Sequence, residues 1–242
     1  MIEKLRKYFP VVPIIYLAVC IFIVRGSVGY IYLASAFLVA LTFLAQYKVK
    51  LKPEVFLGRW LLVLASIGMS AAVILSIEKI ELLKHPNHVT SCSLSPIVSC
   101  SPIIASPQAS AFGFPNPFIG IFGFAAVLTA GMTLIAGATK LSKYWWRTLQ
   151  AGTTFGAVFS MWLIHEGVFE IGKLCLYCML VWLISFTMLW LVTAHNITNK
   201  YVSFGTKLNK LLSYKYELIA TTYAVIFVLI FIRWADYWLN LP

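Results

Sequence analysis

Seven stretches of the chain are long apolar runs with few charges, at about residues 8–24, 28–46, 60–77, 116–139, 146–168, 174–194 and 218–234. Each approaches the roughly 20 mostly apolar residues that a helix needs to cross a bilayer. The pattern predicts an all-α polytopic membrane protein. The first run is the weakest, because Pro10 and Pro13 shorten its helical part. Proline near a helix start is tolerated, since the N–H it lacks would be unpaired there. That run follows Lys4, Arg6 and Lys7, as a signal peptide would. Arg25 and Gly26 follow it directly, with no small-residue cleavage site, so a retained span is expected.

Composition narrows the class. Of 242 residues, 61% are apolar and only 11% are charged, against about 25% charged in soluble domains. Mean hydropathy is +0.87. A soluble globular protein and a disordered chain are excluded, and the spans leave no room for a separate soluble domain of ~100 residues. The net charge of +11 would suggest nucleic acid in a soluble protein. Here its distribution says otherwise. With the N-terminus inside, the inner loops hold Lys4, Arg6, Lys7, Lys48, Lys50, Lys52, Arg59, Lys140, Lys143, Arg147, Lys200, Lys207, Lys210 and Lys215, fourteen of the 19 cations. The outer loops hold Arg25, Lys79, Lys84, Lys173 and Arg233. This is the positive-inside bias of a membrane protein, and it predicts lipid rather than nucleic acid as the surrounding partner. Aromatic residues (Tyr144, Trp145, Trp146; Trp234, Tyr237, Trp238) fall where interfaces are expected.

One outer loop, residues 78–115, is much longer than the others. It is rich in serine and proline, yet carries Ile97, Val98, Ile103, Ile104, Phe112 and Phe114. Long ordered loops are often functional. This one is expected to fold back over the outer membrane face with a short half-helix.

Of the five cysteines, Cys20 lies inside the first run and reads as a small buried hydrophobe. Cys92, Cys100, Cys175 and Cys178 all fall on the outer side in a topology assigned from charge alone. That is where disulfides persist. Cys175–Leu176–Tyr177–Cys178 is a C-x-x-C at the start of the sixth span. N–H groups of a first helical turn favour a thiolate there, and Lys173 is expected to act in the same direction. Two dithiols can relay electrons by thiolate attack on the next disulfide. Zinc ligation and a pair of structural disulfides are the alternatives. A relay at the membrane surface needs a dithiol protein as source and a two-electron, two-proton sink in the bilayer, for which a lipid-soluble quinone is suited.

The order Cys92, Cys100, Ser106, Phe112–Gly113–Phe114–Pro115–Asn116 and a distant C-x-x-C resembles the vitamin K epoxide reductase family over roughly residues 59–195. The resemblance implies a four-helix bundle around a quinone (ubiquinone or menaquinone), capped by the cysteine loop. It implies Cys178 beside the quinone, Cys175 as its partner, Cys100 delivering electrons and Cys92 exchanging with an external thioredoxin-like protein. Asn116 matches the residue that hydrogen-bonds a quinone carbonyl, with Ser106 and Phe114 in the accompanying segment. Trp182 stands where vertebrate members have a tyrosine against the quinone, which weakens a reading of the epoxide as substrate. By its own residues, Asn116 reads equally as a helix cap.

The expected organisation is then two N-terminal spans in 1–56, a catalytic bundle in 57–197 with its loop at 78–115, and a linker with a C-terminal span in 198–242. The expected activity is a quinone-dependent thiol oxidase in the cell (inner) membrane, with its active site on the periplasmic, outer face and no metal. It would reoxidise a separate thioredoxin-like dithiol protein, because no such domain follows the last span. A reductase of vitamin K quinone or its epoxide is the alternative. An outward electron transporter and a scaffold with structural disulfides are the more distant rivals. His165, Glu166 and Glu170 read as solvated at headgroup level rather than as proton carriers, and His85 and His88 as too few for a metal site. The glycines Gly113, Gly120 and Gly123 read as a helix-packing stripe.

Overall fold

The computed structural model describes Ser35 and residues 52–85, 88–138 and 140–239. The two N-terminal runs, 8–24 and 28–46, and Cys20 lie outside the described residues. The described chain is all-helical, with five long helices: α1 (Pro53–Lys84), α3 (Asn116–Ile135), α4 (Lys143–His165), α5 (Leu176–Thr198) and α7 (Lys215–Arg233). Short helices α2 (Cys100–Ala105), α6 (Thr206–Leu212) and α8 (Ala235–Leu239) join or follow them. By length and composition, α1, α3, α5 and α7 are each apolar enough to cross a membrane. Helix α4 is 23 residues long but more polar, carrying Arg147, Gln150, Thr153, Thr154 and Ser160. Four such spans make this an all-α, multi-pass membrane protein.

Helix α1 is longer than its apolar core. It starts at Pro53, where a missing N–H costs nothing, and runs 32 residues through the first seven positions of the supposed loop. Its serines bond inside the helix: Ser66, Ser70 and Ser76 donate to the carbonyls four residues back, at 2.7, 2.9 and 2.8 Å. Polar groups buried in a bundle are thereby satisfied without water. Arg59, counted among the inner-loop cations, is buried in α1.

Helices α1, α3, α4 and α5 form a four-helix bundle, with α1 against α3 and α5, and α4 against α5. Backbones approach most closely at Gly58 and Gly131, where a methyl on Gly58 would sit 2.9 Å from the Gly131 carbonyl oxygen. The predicted glycine stripe needs correcting. Gly120 does pack on Ala72, but a side chain at Gly113 or Gly123 would meet nothing within 4 Å. Gly113 instead serves a turn, at φ 81°. Helix α7 lies outside the bundle on α5. Tyr223 donates to the Leu183 carbonyl at 2.9 Å and the Trp190 indole donates to Thr222 at 3.0 Å.

Candidate functional site

All four described cysteines gather at one end of the bundle. Cys92 and Cys100 form a disulfide with Cα atoms 5.7 Å apart. Cys175 and Cys178 are free thiols. Cys175 Sγ lies 2.8 Å from Cys100 Sγ, and the sulfurs of Cys92, Cys100 and Cys175 all lie within 4.8 Å of one another. The thiolate is the form of cysteine that binds metal, and neither member of the Cys92–Cys100 disulfide is one. The arrangement is that of thiol–disulfide exchange, with a free sulfur against one end of an S–S bond.

The local chain explains this approach. Helix α4 ends in a π-helical turn, Glu166–Ile171, closed by Gly172 at φ 66°, a left-handed conformation suited to glycine. The chain then reverses, and the Lys173 N–H bonds to the Gly167 carbonyl at 2.9 Å. Leu174 next pairs with Val98 as an isolated parallel bridge. Its N–H donates to Ile97 and its carbonyl accepts from Ser99, both at 2.9 Å. One residue beyond Leu174 is Cys175; two beyond Val98 is Cys100. The bridge therefore sets the two sulfurs side by side. The Lys173 Nζ donates to the Pro96 carbonyl at 2.5 Å, tying down the loop.

Cys175 caps α5, its sulfur accepting from the Cys178 N–H at 3.5 Å. Cys92, Cys100 and Cys175 are fully buried in an apolar cluster with Ala71, Ile74, Leu75 and Ile104. Hydroxyls hold the cap together. Thr90 and Ser101 pair at 2.8 Å, and Ser93 and Ser99 at 3.0 Å. The serine-rich sequence of the loop thus supplies internal hydrogen bonds to a compact segment. The half-helix expected there is α2, which starts at Cys100.

A second set of residues escaped the sequence reading. Glu78, in the last turns of α1, accepts from the Ser91 N–H at 3.1 Å and the Ser91 hydroxyl at 2.6 Å. Its other oxygen meets His88 Nε2 at 2.9 Å. Ser91 precedes Cys92, and its oxygen also lies 3.4 Å from the Tyr177 hydroxyl, inside the C-x-x-C. Because the Ser91 hydroxyl donates to Glu78, Tyr177 is the donor to Ser91. One carboxylate thus ties the loop before Cys92 to α1 and, through Ser91, to α5.

Beneath the cap lies a cavity of about 510 Å³, lined by α1, α2, α3, α4 and α5 and almost wholly apolar. That size suits a small-molecule ligand. Helices α3 and α4 touch little, and Phe122 and Phe155 line the cavity while remaining well exposed. Cys178 lines it, as do Asn116 and Trp182. Asn116 is also committed to the fold: Nδ2 donates to the Gln108 carbonyl at 2.7 Å, and Oδ1 accepts from the Ala111 N–H at 3.0 Å. Its amide has a second N–H to spare. Trp182 is 2% exposed, and its indole N–H has no acceptor among the described residues. Ser106 and Phe114 are not among the lining residues. The Ser106 hydroxyl donates to Ile103 at 2.7 Å, and Phe114 is exposed, its ring 6.5 Å from that of Phe112. His165 pairs with Glu166 at 3.7 Å, and neither they nor Glu170 line the cavity. Arg233 reaches back from α7 to the Val168 carbonyl at 3.2 Å, so this cation shares the cysteine end.

A family model matches the chain. The model of the "Vitamin K epoxide reductase family" covers residues 59–193, more than half of the chain. Those residues span the bundle, the cap and both cysteine pairs.

Proposed function

The chain belongs to the vitamin K epoxide reductase family, a family of membrane thiol–disulfide oxidoreductases, and on that premise we propose that it is a quinone-dependent thiol oxidase. The observation that carries this reading is the contact between Cys175 Sγ and Cys100 Sγ at 2.8 Å, above a cavity that Cys178 lines.

A dithiol partner, thioredoxin-like and separate from this chain, attacks Cys92 Sγ and breaks the Cys92–Cys100 bond. The partner's second thiol resolves that mixed disulfide. The Cys100 thiolate attacks Cys175 of an oxidised C-x-x-C and releases Cys178. Cys92 then attacks Cys100, restoring the loop disulfide and leaving Cys175 and Cys178 reduced. The observed state, with Cys92–Cys100 bonded and the C-x-x-C free, corresponds to this point. Two electrons have moved, and one disulfide has been exchanged for another.

A quinone bound in the cavity supplies the two-electron, two-proton sink. Cys178 borders that space, and the buried, unpartnered indole N–H of Trp182 suits a carbonyl acceptor. Asn116 offers its spare amide N–H. The apolar walls exclude water from the reacting sulfur.

The inner membrane is the proposed location, with the cysteines facing outward. Lys79, Lys84, Lys173 and Arg233 are at the cysteine end, while Lys140, Lys143, Arg147, Lys200, Lys207, Lys210 and Lys215 crowd the opposite end or its loops. By the positive-inside rule, that opposite end would face the cytoplasm.

The test is quinone reduction coupled to a reduced thioredoxin-like protein. Replacing Cys92, Cys100, Cys175 or Cys178 by serine should each abolish coupled turnover, and Cys20→Ser should leave it intact. Wild-type quinone reduction by Cys178→Ser would overturn the mechanism. Turnover of vitamin K epoxide with a chemical thiol reductant, in place of partner oxidation, would favour the reductase reading.

A further inference from the structure

Lys79 is a buried lysine in a bundle that has little else charged inside it. Its Nζ donates to the Ile104 carbonyl at 2.7 Å. It also lines the cavity, and among the described lining residues it is the only one with a cationic side chain. No carboxylate among the described residues forms an ion pair with it. The adjacent Glu78 is taken up by Ser91 and His88.

Its bond to Ile104 has a structural use, since Ile104 lies in the last turn of the six-residue helix α2. Late carbonyls of a helix lack partners within it. One N–H suffices for that, and a neutral donor would do it without a cation. An ammonium has three donors. Holding its charge in an apolar, membrane-level site is costly unless something compensates. Among the described residues no carboxylate supplies that compensation, and a ligand can.

We propose that Lys79 is a ligand-binding group of the cavity, placing a cation against an anionic or electron-rich ring oxygen of a bound quinone. The proposal rests on the quinone reading above. Two-electron transfer from the Cys175/Cys178 dithiol, which closes to a disulfide and releases its two thiol protons, would put negative charge on the ring oxygens until two protons are taken up. A fixed cation beside that charge lowers the barrier. The cavity should therefore prefer quinones bearing an ionised hydroxyl.

The test is direct binding to the purified full chain, with no turnover. A hydroxynaphthoquinone that is ionised at neutral pH is compared with the neutral parent naphthoquinone. Wild type should bind the anion about tenfold or more tightly than the parent, a gap within reach of one well-placed charge. Lys79→Arg should keep the preference. Lys79→Gln, which retains a donor for Ile104, should erase it, weakening the anion about tenfold or more and the neutral parent far less. If Lys79→Gln keeps the preference, or wild type binds both ligands equally, Lys79 is only a cap for α2 and the proposal fails. If wild type binds neither ligand, the quinone reading fails with it.

Discussion

The two ends of the bundle contain the same oddity, a buried tryptophan whose indole N–H has no partner among the described residues. At the end away from the cysteines it is Trp146, stacked on Tyr201 with centroids 5.3 Å apart and close to His195 at 4.4 Å. Asn196, fully buried, donates to the Trp146 carbonyl at 3.2 Å and to Gln150 at 3.1 Å. Gln150 passes the chain on to Thr193 at 2.9 Å, and Arg147 ties down the Tyr201 carbonyl at 3.1 Å. None of Trp146, His195, Asn196 and Tyr201 lines the cavity. At the cysteine end it is Trp182, beside the π-turn and on the cavity wall with Cys178. An orphaned buried donor is therefore no site by itself. It becomes one where it shares a space with a reactive atom. One end is a knot that fixes helix geometry; the other uses similar materials to surround room for a ligand.

The largest expected contrast separates chemistry from stability. Cys178→Ser should reduce coupled turnover at least ~100-fold, as losing a nucleophile does, while leaving the unfolding midpoint nearly unchanged. Asn196→Ala should do the reverse. It strips two donors from a fully buried site and should cost about 2–3 kcal/mol. The purified variant should unfold earlier in detergent, yet its folded fraction should turn over normally. A fall in turnover per folded molecule for Asn196→Ala would mean that the two ends are coupled.

A smaller effect is expected at Glu78. Its bonds to Ser91 and His88 hold the segment over a disulfide that is itself fully buried. Glu78→Gln keeps the shape but weakens the charge-assisted bonds, by roughly 1–2 kcal/mol. That corresponds to about a 5–30-fold change in an equilibrium constant. A small phosphine reductant should accordingly cleave Cys92–Cys100 faster by a similar factor. An unchanged rate would show that the cap is held by its hydroxyl pairs and by Lys173 instead.

The sequence made the sulfurs legible more readily than their setting. Charge distribution put four cysteines at one end, and spacing paired them. The π-turn at Glu166–Ile171 left no trace beyond Gly167 and Gly172, because its backbone pattern depends on packing against the reversed chain. The upper part of α1 was missed since 78–84, EKIELLK, ends the apolar run; the helix nevertheless continues through good helix formers. That error hid both Glu78 and Lys79. Neighbours on a helix point about 100° apart at 3.6 residues per turn. One can therefore clamp the cap while the next faces the cavity, a division that no residue count in a loop would suggest. The bridge from Val98 to Leu174 was equally invisible, being a contact across 76 residues.

The smallest effect, and the most direct test of the comparison, is a matched pair. Trp182→Phe and Trp146→Phe remove the same indole ring and the same unpartnered N–H. Each variant loses packing of similar size, so what differs between them reports on the surroundings. If the Trp182 N–H serves a ligand carbonyl, its loss should weaken binding of the neutral naphthoquinone about 3–10-fold, the worth of one ordinary hydrogen bond. Trp146→Phe should leave that affinity untouched, because its ring is enclosed by Tyr201 and His195 rather than by the cavity. Equal binding by the two variants would place both indoles in the same class, as buried donors without a ligand, and would leave Asn116 and Lys79 as the candidate polar groups of the proposed quinone site.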